Sequence, residues 1–96
     1  MKYLIAFDTL YDATQTKKML SNYNSYIAPT PRFLTKACSS SVCACGDDVV
    51  KTFLDNTELK DGVGYKVYII NEQDYIYVCG KFSYEAIREV ESVNAT

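Results

Sequence analysis

The chain has 96 residues, a formal net charge of −2 and a sequence pI of about 5.0, and 48% of its residues are hydrophobic. This length suits one domain with one layered core, and the hydrophobic content is typical of a globular protein. The mild acidity excludes a broad basic surface for nucleic acid. The apolar run after Met1 is too short for a signal-peptide core or a membrane span, so we expect one cytoplasmic domain over residues 1–96.

Hydropathy and turn signals predict alternating strands and helices along the chain. The predicted elements are a strand over 2–7, a helix over 10–23, strands over 25–29 and 41–45 with a loop over 30–40, a helix over 49–57, strands over 65–70 and 75–80, and a last helix from Ser83. Asp8 or Thr9 is placed to cap the first helix, and Asp47 or Asp48 the second. Residues 71–74 are expected to form a four-residue hairpin loop between the last two strands.

The order β-α-β-β-α-β, followed by one more strand and helix, predicts an α+β fold. We expect a ferredoxin-like sandwich in which an antiparallel sheet carries two helices on one face. Residues 1–70 form the predicted core unit, and residues 71–96 form a C-terminal extension of one strand and one helix. The helical residues expected to face the sheet are Leu10, Ala13, Met19, Leu20 and Tyr23 in the first helix and Val49, Val50, Phe53 and Leu54 in the second.

Three of the four cysteines, Cys38, Cys43 and Cys45, lie within eight positions. Without an export signal, we expect reduced thiols rather than a disulfide framework. The spacing of these residues and Cys79 fits poorly with the paired ligands of a structural zinc site, so we predict no metal and no other cofactor. The chain contains no His, the commonest general base, and this favours a non-catalytic protein over an enzyme.

The loop before Cys38 is the part of the sequence where we expect thiol chemistry. Pro29 and Pro31 each fix their own φ and push the preceding residue away from helix, so they stiffen the loop. Arg32 adds a permanent positive charge, which favours the thiolate form of a cysteine that comes close. Serines 39–41 could donate hydrogen bonds to an anionic group, although serines are also ordinary residues in turns.

Two interpretations remain open for Cys43 and Cys45. On a strand both side chains point to the same side, where reduced cysteines are commonly buried as small hydrophobic residues. Alternatively, one of them resolves an oxidised Cys38 as a disulfide. Cys79 lies in an alternating run, which indicates a core position.

The segment Pro29-Thr30-Pro31-Arg32, a short spacer and then Cys38 resembles the small selenium/sulfur carrier-like proteins, a family long catalogued only as a domain of unknown function. Residues 2–7 resemble the family's first strand and residues 13–20 its first helix, so the resemblance covers roughly residues 1–70. It implies a carrier that holds sulfur or selenium on Cys38 as a persulfide, with Arg32 as support for the thiolate. Its partners would be donor and acceptor enzymes. The secondary candidates are Thr30, Ser39, Cys43 and Cys45.

A second class of function rests on the nine tyrosines of the chain. No basic stripe accompanies them, so packing of the sheet is favoured over the stacking of nucleic-acid bases. An exposed tyrosine patch can nevertheless form a protein interface. The alternative function is therefore a non-catalytic interaction module that uses a tyrosine-rich sheet or the last helix. We expect no binding to nucleic acid or membrane, and the oligomeric state remains open. The tyrosines of the predicted hairpin are Tyr65, Tyr68, Tyr75 and Tyr77.

Overall fold

The computed structural model describes residues 1–35, 39–55 and 64–81. Its elements are β1 (Lys2–Phe7), α1 (Leu10–Met19), a 3₁₀ turn (Ser21–Tyr23), β2 (Tyr26–Pro29), β3 (Ser40–Cys45), α2 (Val49–Asp55), β4 (Tyr65–Asn71) and β5 (Asp74–Lys81). The predicted last helix, from Ser83, lies outside the described residues, as do positions 61–63 of the predicted turn before β4.

The five strands form one antiparallel sheet in the order β2-β3-β1-β4-β5. The predicted α+β class and antiparallel sheet are therefore confirmed. β5 lies outside β4, so the complete order differs from that of a four-stranded ferredoxin-like sheet. The predicted boundary at residue 70 falls inside the β4–β5 hairpin, whose strands pair from Tyr65 and Lys81 to Asn71 and Asp74.

Alternation along β1 divides the sheet into two faces. We call the face of Tyr3, Ile5 and Phe7 the helix face, because the buried residues of both helices join these side chains in one cluster. Phe53 of α2 packs edge-on against Phe7 and Tyr65, with ring centroids 6.0 and 4.9 Å apart. On the opposite face, which we call the second face, Leu4, Cys43 and Tyr68 form a smaller buried cluster.

The first helix is shorter than predicted. Thr9 caps it, since its hydroxyl accepts a hydrogen bond from the Asp12 amide at 3.2 Å. The helix ends at Met19, a separate 3₁₀ turn follows, and Asn24 ends that turn with a positive φ of 54°. Leu10 is exposed rather than buried, because the buried stripe begins one turn later, at Ala13. In α2, Leu54 is likewise exposed.

The β4–β5 hairpin has a two-residue loop, not the predicted four-residue loop. Asn71 and Asp74 pair with each other, which leaves only Glu72 and Gln73 between the strands. The prediction was wrong because the polar residues Asn71 and Asp74 are the last residue of β4 and the first residue of β5. Glu72 has a φ of 56°, a value that two-residue hairpin loops require at their first position.

Candidate functional site

The candidate loop connects β2 and β3, and its base is closed by backbone hydrogen bonding. Pro29 lies opposite Ser40 in the ladder, and the Thr30 amide donates to the Ser39 carbonyl oxygen at 3.2 Å. Residues 31–35 are the described part of the loop that leaves this base. Cys38, the first candidate for thiol chemistry, lies outside the described residues.

A cluster of three hydroxyl groups lies directly beneath the loop. Ser39 Oγ donates to Thr30 Oγ1 at 2.7 Å, and Thr30 Oγ1 is also hydrogen-bonded to Ser41 Oγ. Thr30 and Ser41 are buried, so these hydroxyls need partners and find them in one another. Of the secondary candidates, Thr30 and Ser39 are thus brought together, and in this arrangement they hold the two ends of the loop in contact.

The described part of the loop turns back over the second face of the sheet. The Leu34 amide donates to the Pro31 carbonyl oxygen at 3.0 Å, which closes a four-residue turn with Arg32 and Phe33 in its middle. Leu34 packs against the second-face cluster, and the Phe33 ring lies 5.3 Å from the Tyr75 ring, edge-on. Arg32 is exposed, so its guanidinium is open to solvent above the anchored turn.

The other three cysteines have different surroundings. Cys43 is buried in the second-face cluster, as the core interpretation predicted. Cys45 is exposed, so that interpretation was wrong for it: Cys45 is the last residue of β3 and lies at the end of the sheet. Cys79 is half-buried against the helix-face cluster, and this burial raises the pKa of its thiol.

Cys43 and Cys45 are poorly placed to form a disulfide with each other. They are two positions apart on one extended strand, at a rise of about 3.3 Å per residue. Their Cα separation is therefore close to the upper limit of about 6.8 Å seen in disulfides. The hypothesis that either one resolves Cys38 concerns a residue outside the described ranges and stays a prediction.

Sequence reasoning missed the contact of Lys2 with the second face. Lys2 lies opposite Cys45 in the β1–β3 ladder, and its Nζ lies 5.4 Å from the centre of the Tyr26 ring. Hydrogen bonding to Tyr26, and then the negative charge of Tyr26 when it is ionised, raise the pKa of the Lys2 ammonium. Partial burial opposes this rise, and the charges of ionised Cys43 and Cys45 add smaller contributions to it. Lys2, Tyr26 and Cys45 come together only because β1, β2 and β3 pair in this register. The periodicity within any one of these strands therefore does not predict the contact.

The hairpin tyrosines are divided between the two faces. Tyr65 packs on the helix face, whereas Tyr68, Tyr75 and Tyr77 lie on the second face. Tyr68 is buried and contacts the Tyr77 ring edge-on at 5.8 Å, but Tyr77 itself is 53% exposed. Most of this predicted tyrosine patch therefore packs the protein's own sheet.

The part of the chain that the structure describes contains neither a candidate metal centre nor a membrane-spanning helix. Within 1–35, 39–55 and 64–81, no three or more Cys, Asp or Glu side chains are placed to hold a metal ion. The helices in the same ranges are too short or too polar to cross a membrane. Comparison of the chain with protein-family models, with curated proteins and with solved structures finds no match.

Proposed function

We propose that this protein is a thiol-bearing accessory protein that carries sulfur or selenium on Cys38, with Arg32 as support for the thiolate. The observation that carries the proposal is the anchored base of the loop between β2 and β3, with Arg32 exposed on the described part of that loop. The base is closed by the Thr30–Ser39 hydrogen bonds. Cys38 immediately precedes Ser39 in the sequence, so both candidates belong to one loop with a fixed base.

The proposed transfer is an exchange between a persulfide and a thiolate. The Cys38 thiolate attacks the outer sulfur of a donor persulfide, the donor's S–S bond breaks, and the donor thiolate leaves with the electron pair. The outer sulfur ends on Cys38, so no external oxidant or reductant is needed. A perselenide donor would react in the same way and leave selenium on Cys38.

The protein depends on partners in this scheme. The sequence contains no His, so no imidazole is available as a general base for the transfer. Arg32 cannot take up a proton, because a guanidinium is permanently charged. A donor enzyme would load the carrier and an acceptor enzyme would unload it, and both would approach the exposed loop.

We also propose that the unit from β1 to β4 is ferredoxin-like. If β5 is set aside, the strand order is β2-β3-β1-β4. β3 then separates the two strands joined by α1, and β1 separates the two strands joined by α2, which supports a pair of split β-α-β units. Both helices pack on the helix face, as such an arrangement requires.

The proposed function is tested by loading the full chain from glutathione persulfide. After removal of the donor, intact-mass spectrometry should show one added sulfur, and peptide mapping should place it on Cys38. Cys45→Ser is the matched control, because it removes an exposed thiol and should leave loading unchanged. Cys38→Ser should abolish loading. If the sulfur is absent, or is found on Cys45, the proposed carrier role is wrong.

A second candidate is the interaction module, favoured by apolar side chains that remain exposed. Phe33 is 73% exposed on the loop and Tyr26 is 44% exposed on β2. Thiol reactivity distinguishes the two functions: a carrier requires a reactive, accessible cysteine, whereas an interaction module does not.

A further inference from the structure

The outer edge of β5 is an unusual feature for the surface of a small protein. Among the described strands, β5 is the last of the sheet and pairs on one side only. It is eight residues long, and its middle residues Ile76, Tyr77 and Val78 are 50%, 53% and 41% exposed. A long apolar strand at the end of a sheet is a template for another strand.

The opposite edge of the sheet differs in ways that discourage pairing. β2 has only four residues and ends at Pro29, which has no amide hydrogen to donate. Short length and proline are both devices that protect edge strands. β5 has neither of these two devices, although it does contain one β-bulge, and it carries its charged side chains, Asp74 and Lys81, at its two ends.

A β-bulge determines on which face those charged residues lie. Val67 pairs with Cys79 but Tyr68 pairs with Tyr77, so Val78 is an extra residue in β5. Asp74 and Lys81 are an odd number of positions apart, and in a regular strand they would point to opposite faces. Because of the bulge, both lie on the helix face, opposite Asn71 and Tyr65 of β4.

We propose that β5 pairs in antiparallel fashion with β5 of a second copy of this chain, around a twofold axis perpendicular to the sheet between Tyr77 and Val78. Asp74 of each copy then lies opposite Lys81 of the other, on the same face, so two opposite-charge pairs close the two ends. The same surface serves both copies, as a twofold interface requires. A shift of the register between the two β5 strands by two residues would separate Asp74 from Lys81 in both pairs. This inference goes beyond the proposed carrier function and does not depend on it.

The apolar positions also match in this arrangement. Ile76 lies opposite Cys79 of the second copy on the helix face, and Tyr77 lies opposite Val78 of the second copy at the centre. The two five-stranded sheets become one continuous sheet. Pairing along one edge buries a small interface, so we expect association that depends on protein concentration rather than a permanent dimer.

The first test is the mass of the full chain in solution, measured by analytical ultracentrifugation over a concentration series. We expect the mass to rise from 10.9 kDa to twice 10.9 kDa. Ile76→Lys, which places a charge in the middle of the β5 edge, should keep the protein monomeric. Ile27→Lys is the matched control, because Ile27 is an exposed isoleucine on the helix face of the other edge strand, and it should leave dimerisation intact.

The second test addresses the register. Asp74→Lys and Lys81→Asp should each weaken dimerisation by about tenfold, because each places two like-charge pairs at the interface. The double reversal should restore the native affinity, and circular dichroism confirms that each variant is folded. A native chain that stays at 10.9 kDa at every concentration overturns the proposal. The candidate that then remains for pairing with the β5 edge is a strand of another protein. Dissociation by Ile27→Lys instead of Ile76→Lys, or a folded double reversal without recovery, overturns it as well.

Discussion

At the residue scale, Thr16 is a buried polar group that packing does not satisfy. It lies on the buried side of α1, and its hydroxyl has no hydrogen-bond partner among the described residues. Threonine in a helix often donates to a carbonyl oxygen of the preceding turn, as Thr14 does to Leu10 at 2.8 Å. An unpaired buried hydroxyl costs free energy, so Thr16 weakens the contact between α1 and the sheet.

We predict that Thr16→Val raises the free energy of unfolding by about 1 kcal/mol, because it removes the unpaired hydroxyl and keeps the β-branched shape. Thr14→Val is the control, since its hydroxyl is bonded and less buried, and it should change stability by less than about 0.5 kcal/mol. Urea denaturation of both variants measures the difference. Equal effects, or destabilisation by Thr16→Val, would contradict this explanation.

At the element scale, the hairpin between β4 and β5 combines a tight loop with an unfavourable residue. Glu72 has a positive φ of 56°, a region that glycine enters freely and residues with a Cβ rarely adopt. The pairing of Asn71 with Asp74 requires this loop, so the two strands force the conformation on Glu72. The hairpin therefore contains local strain at Glu72, and the backbone hydrogen bonds between β4 and β5 offset it.

We predict that Glu72→Gly raises the free energy of unfolding by about 0.5–1 kcal/mol, because glycine relieves the positive φ at a modest cost in unfolded-state entropy. Gln73→Gly is the neighbouring control, and it should destabilise the protein, since that position does not have a positive φ. Thermal unfolding of the two variants side by side gives the comparison. Stabilisation by Gln73→Gly and not by Glu72→Gly would contradict the assigned strain.

Elements could be predicted from the sequence where hydropathy and caps agree. β1 follows from an apolar run, and β3 follows from a weakly alternating segment bounded by Gly46. Thr9 was one of two predicted caps of the first helix. Features that depend on strand register could not be predicted. The exposure of Cys45, the contact of Lys2 with Tyr26 and the bulge at Val78 all arise from how neighbouring strands align. The packing of Leu34 on the second face likewise requires the loop to be placed in three dimensions.

At the scale of the whole molecule, the two faces of the sheet are covered differently. The helices cover one face, and Leu34 of the candidate loop packs on the other. Titratable groups consequently lie in both interiors: Tyr65 and Cys79 are half-buried on the helix face, and Tyr68 is buried on the second face. Burial raises the pKa of the Cys79 thiol and of the phenols of Tyr65 and Tyr68 above their usual values.

We predict that stability falls at alkaline pH. Each of these groups has a higher pKa in the folded chain than in the unfolded chain. At alkaline pH the folded state therefore keeps more protons bound than the unfolded state does, and the free energy of unfolding falls as the pH rises. Their contribution is fully present below about pH 8.5, the usual thiol value. For Cys79 it declines above that value, and for Tyr65 and Tyr68 it declines above about pH 10, the usual phenol value, until the pH exceeds their raised folded-state pKa values. Urea denaturation from below about pH 8.5 to above about pH 10 measures the decline, and Tyr68→Phe should make it shallower above about pH 10. A free energy of unfolding that rises over this range would contradict the prediction.

The central claim is that Cys38 is the reactive thiol and that Arg32 supports it. The most direct measurement is iodoacetamide labelling of the native protein from about pH 6 to 10, a range that includes the usual thiol value, with peptide mass mapping of all four cysteines. Cys38 should label first. Arg32→Ala should slow its labelling at neutral pH and shift the rate profile to higher pH, whereas Arg32→Lys should keep much of the native rate. Cys45, which is exposed, provides the internal control, and its rate should not change. If Cys43 or Cys45 labels before Cys38, or if Arg32→Ala leaves the Cys38 profile unchanged, the claim is wrong.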